Sequence, residues 1–177
     1  QKLKDAGITP FAIAAKETWV LGQVATHFML DKSKDAAGTV EAIESGELAF
    51  ADMPNWSNFF KFLDLTVEYG PDKPLEIDWE TSENMLANGE AAMIHMGDWC
   101  QSTLDSFNPD ANLAFMPFPV GSTEDDATLL SSCNWTYIVN KDSENLDLAK
   151  EYCEYILSSE EGQKWMCEGV GAVPGVK

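Results

Sequence analysis

The chain is 177 residues long, with 30 acidic side chains against 11 basic ones and a formal charge of −19 at pH 7. That balance excludes nucleic acid and anionic membrane surfaces as partners, because phosphate binding needs clustered Lys and Arg. Apolar residues make up 45% of the chain, mixed evenly with acids and without any run near the roughly 20 residues of a membrane span, so the composition is globular and sufficient for a hydrophobic core.

The chain begins at Gln1 with residues that read as the last turn of a helix, and it is expected to be a piece of a longer protein. GITPFAIAAKETW, Gly7 to Trp19, predicts a turn, a short apolar strand over Phe11 to Ala15 and a polar tip. Val20, Leu21, Val24 and Phe28 then recur at helical spacing. The polar, Gly-broken stretch that follows predicts a loop with a short helix. In DMPNWSNFFKFLDLTVEYG, residues Trp56, Phe59, Phe60, Leu63 and Val67 form one helical stripe, closed by Gly70-Pro71. DWETSENMLANG predicts another helix, capped by Asp78 or Thr81 and ended by Gly89.

NGEAAMIHMGDW then gives a strand, Ala91 to Met96, delivering Gly-Asp-Trp at its tip. ANLAFMPFPVG predicts a strand stopped by prolines, GSTEDDATLL an acidic solvated loop and NWTYIVN a β-branched, aromatic strand. The last segment encodes two helices, with a stripe of Leu146, Ala149, Tyr152, Cys153 and Ile156, and a capping-box start at Ser158 with Glu161. Strands alternating with helices imply an α/β architecture with at least a partly parallel sheet.

Ligands of such sheets collect at strand ends. Three tips here pair a polar group with a tryptophan: Lys16, Glu17 and Trp19; Asp98 and Trp99; Asn134 and Trp135. An indole face stacks on the C–H side of a sugar ring while carboxylates and amides bind the hydroxyls at its edge, so the recurrence points to carbohydrate binding. Trp56, Trp79 and Trp165, on helical stripes or at helix starts, are read as core fillers instead. Asp98 either binds ligand or caps the helix after it, Lys16 and Glu17 either bind ligand or are solvated loop charges, and Trp135 either contacts ligand or fills the core.

Other chemistries lack their patterns. Glu124-Asp125-Asp126 has neither the spaced ligands nor the turning glycine of a calcium loop. Cys100, Cys133, Cys153 and Cys167 show no zinc spacing, and they leave the disulfide state open, with Cys153 and Cys167 read as small buried hydrophobes. His27 and His95 are read as structural, no G-x-S-x-G occurs, and GVGAVPG lacks the flanking strand and helix of a nucleotide loop. No metal or cofactor is expected.

LANGEAAMIHMGDW resembles the F-x-x-G-x-A-A-M-x-x-x-G-x-W signature of the extracellular solute-binding proteins of carbohydrate ABC transporters, the maltose-binding-protein-like family 1. NWTYIVNKDSENLDLAKEYCEYILSSEEGQKWMCEGVGAVPGVK is similar to that family's crossover strand, helix pair and G-x-x-P turn, and LKDAGITPFAIAAKETW to the start of its second lobe. The resemblance implies an α/β, type II periplasmic-binding-protein-like lobe in a partial two-lobe fold: residues 1–139 as the second lobe with ligand-facing strand tips, and 140–177 as a crossover and helix pair returning to the first. It further implies a non-enzymatic, extracytoplasmic protein, periplasmic or lipid-anchored, that binds an oligosaccharide between its lobes and hands it to the permease subunits of an ABC importer. Trp99 matches the family's stacking tryptophan with Asp98 beside it, and Trp19, with Lys16 and Glu17, matches the first strand-tip loop. Cys133-Asn134-Trp135 stands where many members have Gly-Gly and an aromatic, with Asn134 offering a side-chain contact instead. A glycan-active hydrolase and a peptide-type solute-binding protein are the alternatives.

Overall fold

The computed structural model describes residues 1–130 and 136–172. They divide into two compact units, one of Gln1–Met96 and Thr103–Leu130, the other of Gly97–Ser102 and the described part of Ser131–Lys177.

The first unit is built on a parallel pair of short strands. After helix α1 (Lys2–Asp5) and a turn at Gly7, strand β1 (Thr9–Phe11) pairs with β2 (Ala91–Met93), Thr9 opposite Ala91 and Phe11 opposite Met93. The connection between them carries four helices: α2 (Thr18–Leu30), α3 (Ala36–Glu44), α4 (Trp56–Tyr69) and α5 (Trp79–Ala87). Parallel strands require such a crossover, since no tight turn can join them. Strand β1 lies earlier than the expected Phe11 to Ala15. The Ala12 amide still donates to the Met93 carbonyl, but Ala15 donates to Ile13 and Lys16 to Ile77, which takes the chain out of the ladder.

The core gathers Ile13, Ala14, Val20, Val24, Phe28 and Val120, with Phe59, Phe62 and Phe118 packed against it. Helix α2 buries Val20, Val24 and Phe28 at the spacing its sequence sets. Helix α4 departs from its expected stripe: Phe60 is 54% and Val67 67% exposed, while Thr66 is buried and Phe62 reaches the core. The cause is the ring cluster of Phe28, Phe62 and Phe118, which turns the Phe59, Phe62 and Thr66 side of the helix inward.

Strands β3 (Phe118–Pro119) and β4 (Ala127–Thr128) form a separate antiparallel pair. The acidic loop between them is exposed over residues 122–125, as expected, and is tied down at Asp126. Lys32 Nζ lies 2.8 Å from Asp126 Oδ1 and 3.4 Å from Asp31 Oδ2, and Thr128 donates to Asp31 at 3.0 Å, so the loop is tied to the end of α2. Lys32 and Thr123 together hold the Asp126 carboxyl far below the usual carboxylate range.

In the second unit, a 3-10 turn (Asp98–Cys100) leads into helix α6 (Gln101–Phe107), which passes back into the first unit at Thr103. Helices α7 (Leu146–Ser158) and α8 (Glu160–Lys164) are followed by a π-helical turn, Trp165–Val170. The cap between the helices is Ser159, one residue later than expected, its Oγ accepting from the Gly162 amide at 2.9 Å. A Cβ at Gly162 would overlap the Ile156 carbonyl, which makes glycine necessary where α8 folds back on α7. No residue of α7 is fully buried, and Tyr152 is exposed. Residues 136–140, expected as part of a strand, have no regular structure and pair with none of the described strands; Ile138 is 92% exposed.

Candidate functional site

Lys16, Glu17 and Trp19 stand where the chain leaves the core and enters α2. Glu17 is the residue before the helix, without a side-chain hydrogen bond to it, and Trp19 in the first turn is 41% exposed. The reason is local: Ala12, Ile13 and Ala14 are buried, Val20 is the first buried residue of the helix, and the tip between them has no core to enter. Lys16 forms an exposed ion pair with Asp78 at 3.0 Å. Asp78 is also the cap of α5, accepting from the Thr81 amide at 3.0 Å, and Thr81 with Lys16 holds its carboxyl far below the usual range. The same contact raises the Lys16 ammonium, through the hydrogen bond and then the charge of Asp78.

Asp98 and Trp99 occupy the 3-10 turn of the second unit, both half-buried. The Trp99 ring lies directly over Gly97: a Cβ there would overlap its six-membered ring. The backbone of Gly97, at φ −93° and ψ 176°, is open to any residue, so what the position requires is the missing side chain and not an unusual conformation. Gly-Asp-Trp thus holds the six-membered ring of the indole against the Gly97 backbone. Trp19 belongs to the first unit and Trp99 to the second. Asn134, Trp135 and Cys133 lie outside the described residues.

Several side chains are placed differently from expectation. Trp56 packs against the core, but Trp79, at the start of a helix that buries Ser82, Glu83 and Ala87 instead, is exposed, and Trp165 is 54% exposed in a turn with no buried residue. Cys153 is half-buried and Cys167 exposed. A cavity of about 200 Å3 opens beside Phe28, Asp31 and Met53 and involves none of the predicted site residues. Among the described residues no cluster of three or more His, Cys, Asp or Glu side chains could hold a metal ion, and no helix is long and apolar enough to cross a membrane.

Two features flanking the Trp99 turn go beyond the sequence-based expectations. His95 Nε2 lies 2.9 Å from His27 Nδ1, both rings packing on Phe118, and burial pushes His95 down to about 4 and lowers His27 as well. Glu83 is fully buried and neither carboxylate oxygen completes a hydrogen bond; burial pushes it up to about 7, against the Thr103 hydroxyl, which lowers it. The spacing of Glu83 and Ala87 on the inward side of α5 carried the signal for Glu83. Nothing local carried one for a contact between histidines 68 positions apart.

Residues 1–163 match the model of the bacterial extracellular solute-binding protein family. The chain is 29% identical over 126 residues to an uncharacterized ABC transporter extracellular-binding protein of Pyrococcus horikoshii, covering 68% of this chain and 27% of that protein. Among solved structures it is similar to a chitin oligosaccharide binding protein, with a TM-score of 0.70 and 22% identity, covering 99% of this chain and 44% of the other. The chain therefore spans less than half the length of each of these relatives, both of them binding proteins by name. Its fold is that of a type II periplasmic-binding-protein-like lobe, present in part. A family match over most of the sequence leads to one conclusion: the chain belongs to the bacterial extracellular solute-binding proteins.

Proposed function

We propose that this chain is part of the solute-binding component of an ABC importer that takes an oligosaccharide between two lobes. The observation that carries the reading is the Trp99 ring seated over Gly97 in the 3-10 turn Asp98–Cys100, with Asp98 beside it. A planar, polarizable surface next to a carboxylate suits a pyranose, whose C–H face is apolar and whose edge is a ring of hydroxyls. The exposed indole of Trp19 supports it from a second tip, with Lys16 and Glu17 as polar neighbours. Asn134 and Trp135 are proposed as the third contact. The likeness in fold to a chitin oligosaccharide binding protein favours an oligosaccharide over other solutes.

In this reading residues 1–139 belong to the second lobe and 140–177 cross toward the first. The protein does no chemistry: a ligand that touches both lobes only when they close shifts an open–closed equilibrium. The closed form is then presented to the permease on the extracytoplasmic side of the membrane, where the intact protein is periplasmic or lipid-anchored.

Thermal unfolding against a panel of oligosaccharides and peptides tests this, because a ligand that binds only the folded state raises Tm. A rise with oligosaccharides alone is expected. A rise confined to peptides would reject the sugar assignment, and release of shortened products from labelled oligosaccharides would reject the non-catalytic one in favour of a glycan hydrolase.

A further inference from the structure

The packing of the first unit does not account for the position of Trp79. It is the first residue of α5 and 38% exposed, while the same helix turns Ser82, Glu83 and Ala87 inward. An indole outside and a carboxylate inside, on one helix, is the reverse of what burial of apolar surface favours. The helix itself does not ask for tryptophan at that place either. Its cap is made by Asp78, whose carboxylate accepts from the Thr81 amide at 3.0 Å, and tryptophan is only an average helix former.

Its neighbours supply a reason. The loop that leads into α5 is tied to the tip that leads into α2: the Lys16 amide donates to the Ile77 carbonyl at 3.1 Å, and Lys16 Nζ lies 3.0 Å from Asp78 Oδ2. Trp79 follows Asp78 directly, and Trp19, 41% exposed, stands in the first turn of α2 three residues after Lys16. Two exposed indoles are therefore carried on two loops that one backbone hydrogen bond and one ion pair join, all within the first compact unit. The Lys16 ammonium has three donors, of which Asp78 takes one, and its side chain is 55% exposed, so donors remain for a ligand hydroxyl.

We propose that Trp79 is a further ligand-contacting residue, stacking on a sugar unit next to the one held at Trp19, with Lys16 donating to hydroxyls of the two, so that this edge of the first unit reads the length of the oligosaccharide. The inference rests on the function proposed above and adds to it a residue and a property of the substrate. One indole face covers one pyranose ring, so a short ligand engages one tryptophan and leaves the other in water, while a longer one engages both. Discrimination therefore grows with the number of sugar units. Glu17, Asp78 and Glu80 set the Lys16 cation among three carboxylates, which favours a neutral sugar over an anionic one.

Calorimetric titration of chitin-type oligosaccharides of two, four and six units into the wild-type chain, Trp79→Ala and Trp79→Phe tests the proposal, with Trp99→Ala as the reference. Wild-type affinity should rise with length. Trp79→Ala should weaken the six-unit ligand about tenfold and leave the two-unit ligand within about twofold, and Trp79→Phe, which keeps an aromatic face, should recover most of the loss. Trp79→Leu, which keeps apolar cover without a ring, serves if Trp79→Ala does not fold. Wild-type affinity of Trp79→Ala for the six-unit ligand, an equal loss at every length, or a loss that Trp79→Phe does not recover would overturn the proposal. Binding that Trp99→Ala weakens and Trp79→Ala leaves intact would remove Trp79 alone, whereas a wild-type chain that binds no oligosaccharide of any length would remove the proposed function together with it.

Discussion

Gly97 shapes the proposed site through an atom it lacks. The Trp99 ring occupies the volume a Cβ would take, and because the Gly97 backbone suits any residue, a substitution there changes sterics and nothing else. Gly97→Ala should keep the helical circular dichroism of the chain, shift its tryptophan fluorescence, and weaken oligosaccharide binding by tenfold or more, about 1.4 kcal/mol. Unchanged fluorescence would mean that the ring does not depend on the glycine. Serine or alanine elsewhere in a strand-to-helix turn would pass unnoticed, so the effect separates this glycine from those that serve only backbone freedom, such as Gly89 at φ +74°.

Helix α5 shows how an element and a site can share one residue. Asp78 caps the helix through Thr81 and pairs with Lys16 at the tip that carries Trp19. Asp78→Ala should lower the urea midpoint of unfolding, as the loss of a helix cap does. Lys16→Ala should leave the urea midpoint nearly unchanged, since exposed ion pairs contribute little; a fall as large as that of Asp78→Ala would make Lys16 a structural residue. Such caps were legible from sequence, as were the helices over 20–30, 56–69 and 79–87, because 3.6-residue periodicity and polar caps are local signals. The strands were not. Their lengths are set by partners far away in the chain, so β1 and β2 have three residues each where longer apolar runs predicted more, and residues 136–140 have no ladder to join. The inward face of α4 slipped for the same reason: Phe60 and Phe62 are equally apolar, and only the position of Phe118 chooses between them.

At the scale of the whole molecule, the acidic composition that excludes polyanionic partners leaves neutral, hydroxyl-rich ligands open, and Trp19 and Trp99 are proposed as the surfaces on which such a ligand stacks. Trp19 and Trp99 could be picked out because each follows a polar turn and not an apolar run, and neither is buried. The histidine pair was not legible in the same way, since His27 meets His95 only once β2 has been brought alongside β1. The low burial of α7, with Tyr152 exposed, fits the proposal that residues 140–177 cross to a first lobe, given that the structural relative is more than twice as long. Isothermal titration calorimetry of a chitin-type oligosaccharide into the wild-type chain and into Trp99→Ala tests the central claim most directly. Exothermic binding that Trp99→Ala weakens by at least tenfold, about 1.4 kcal/mol, is the predicted result. Equal affinities for the two proteins would contradict it.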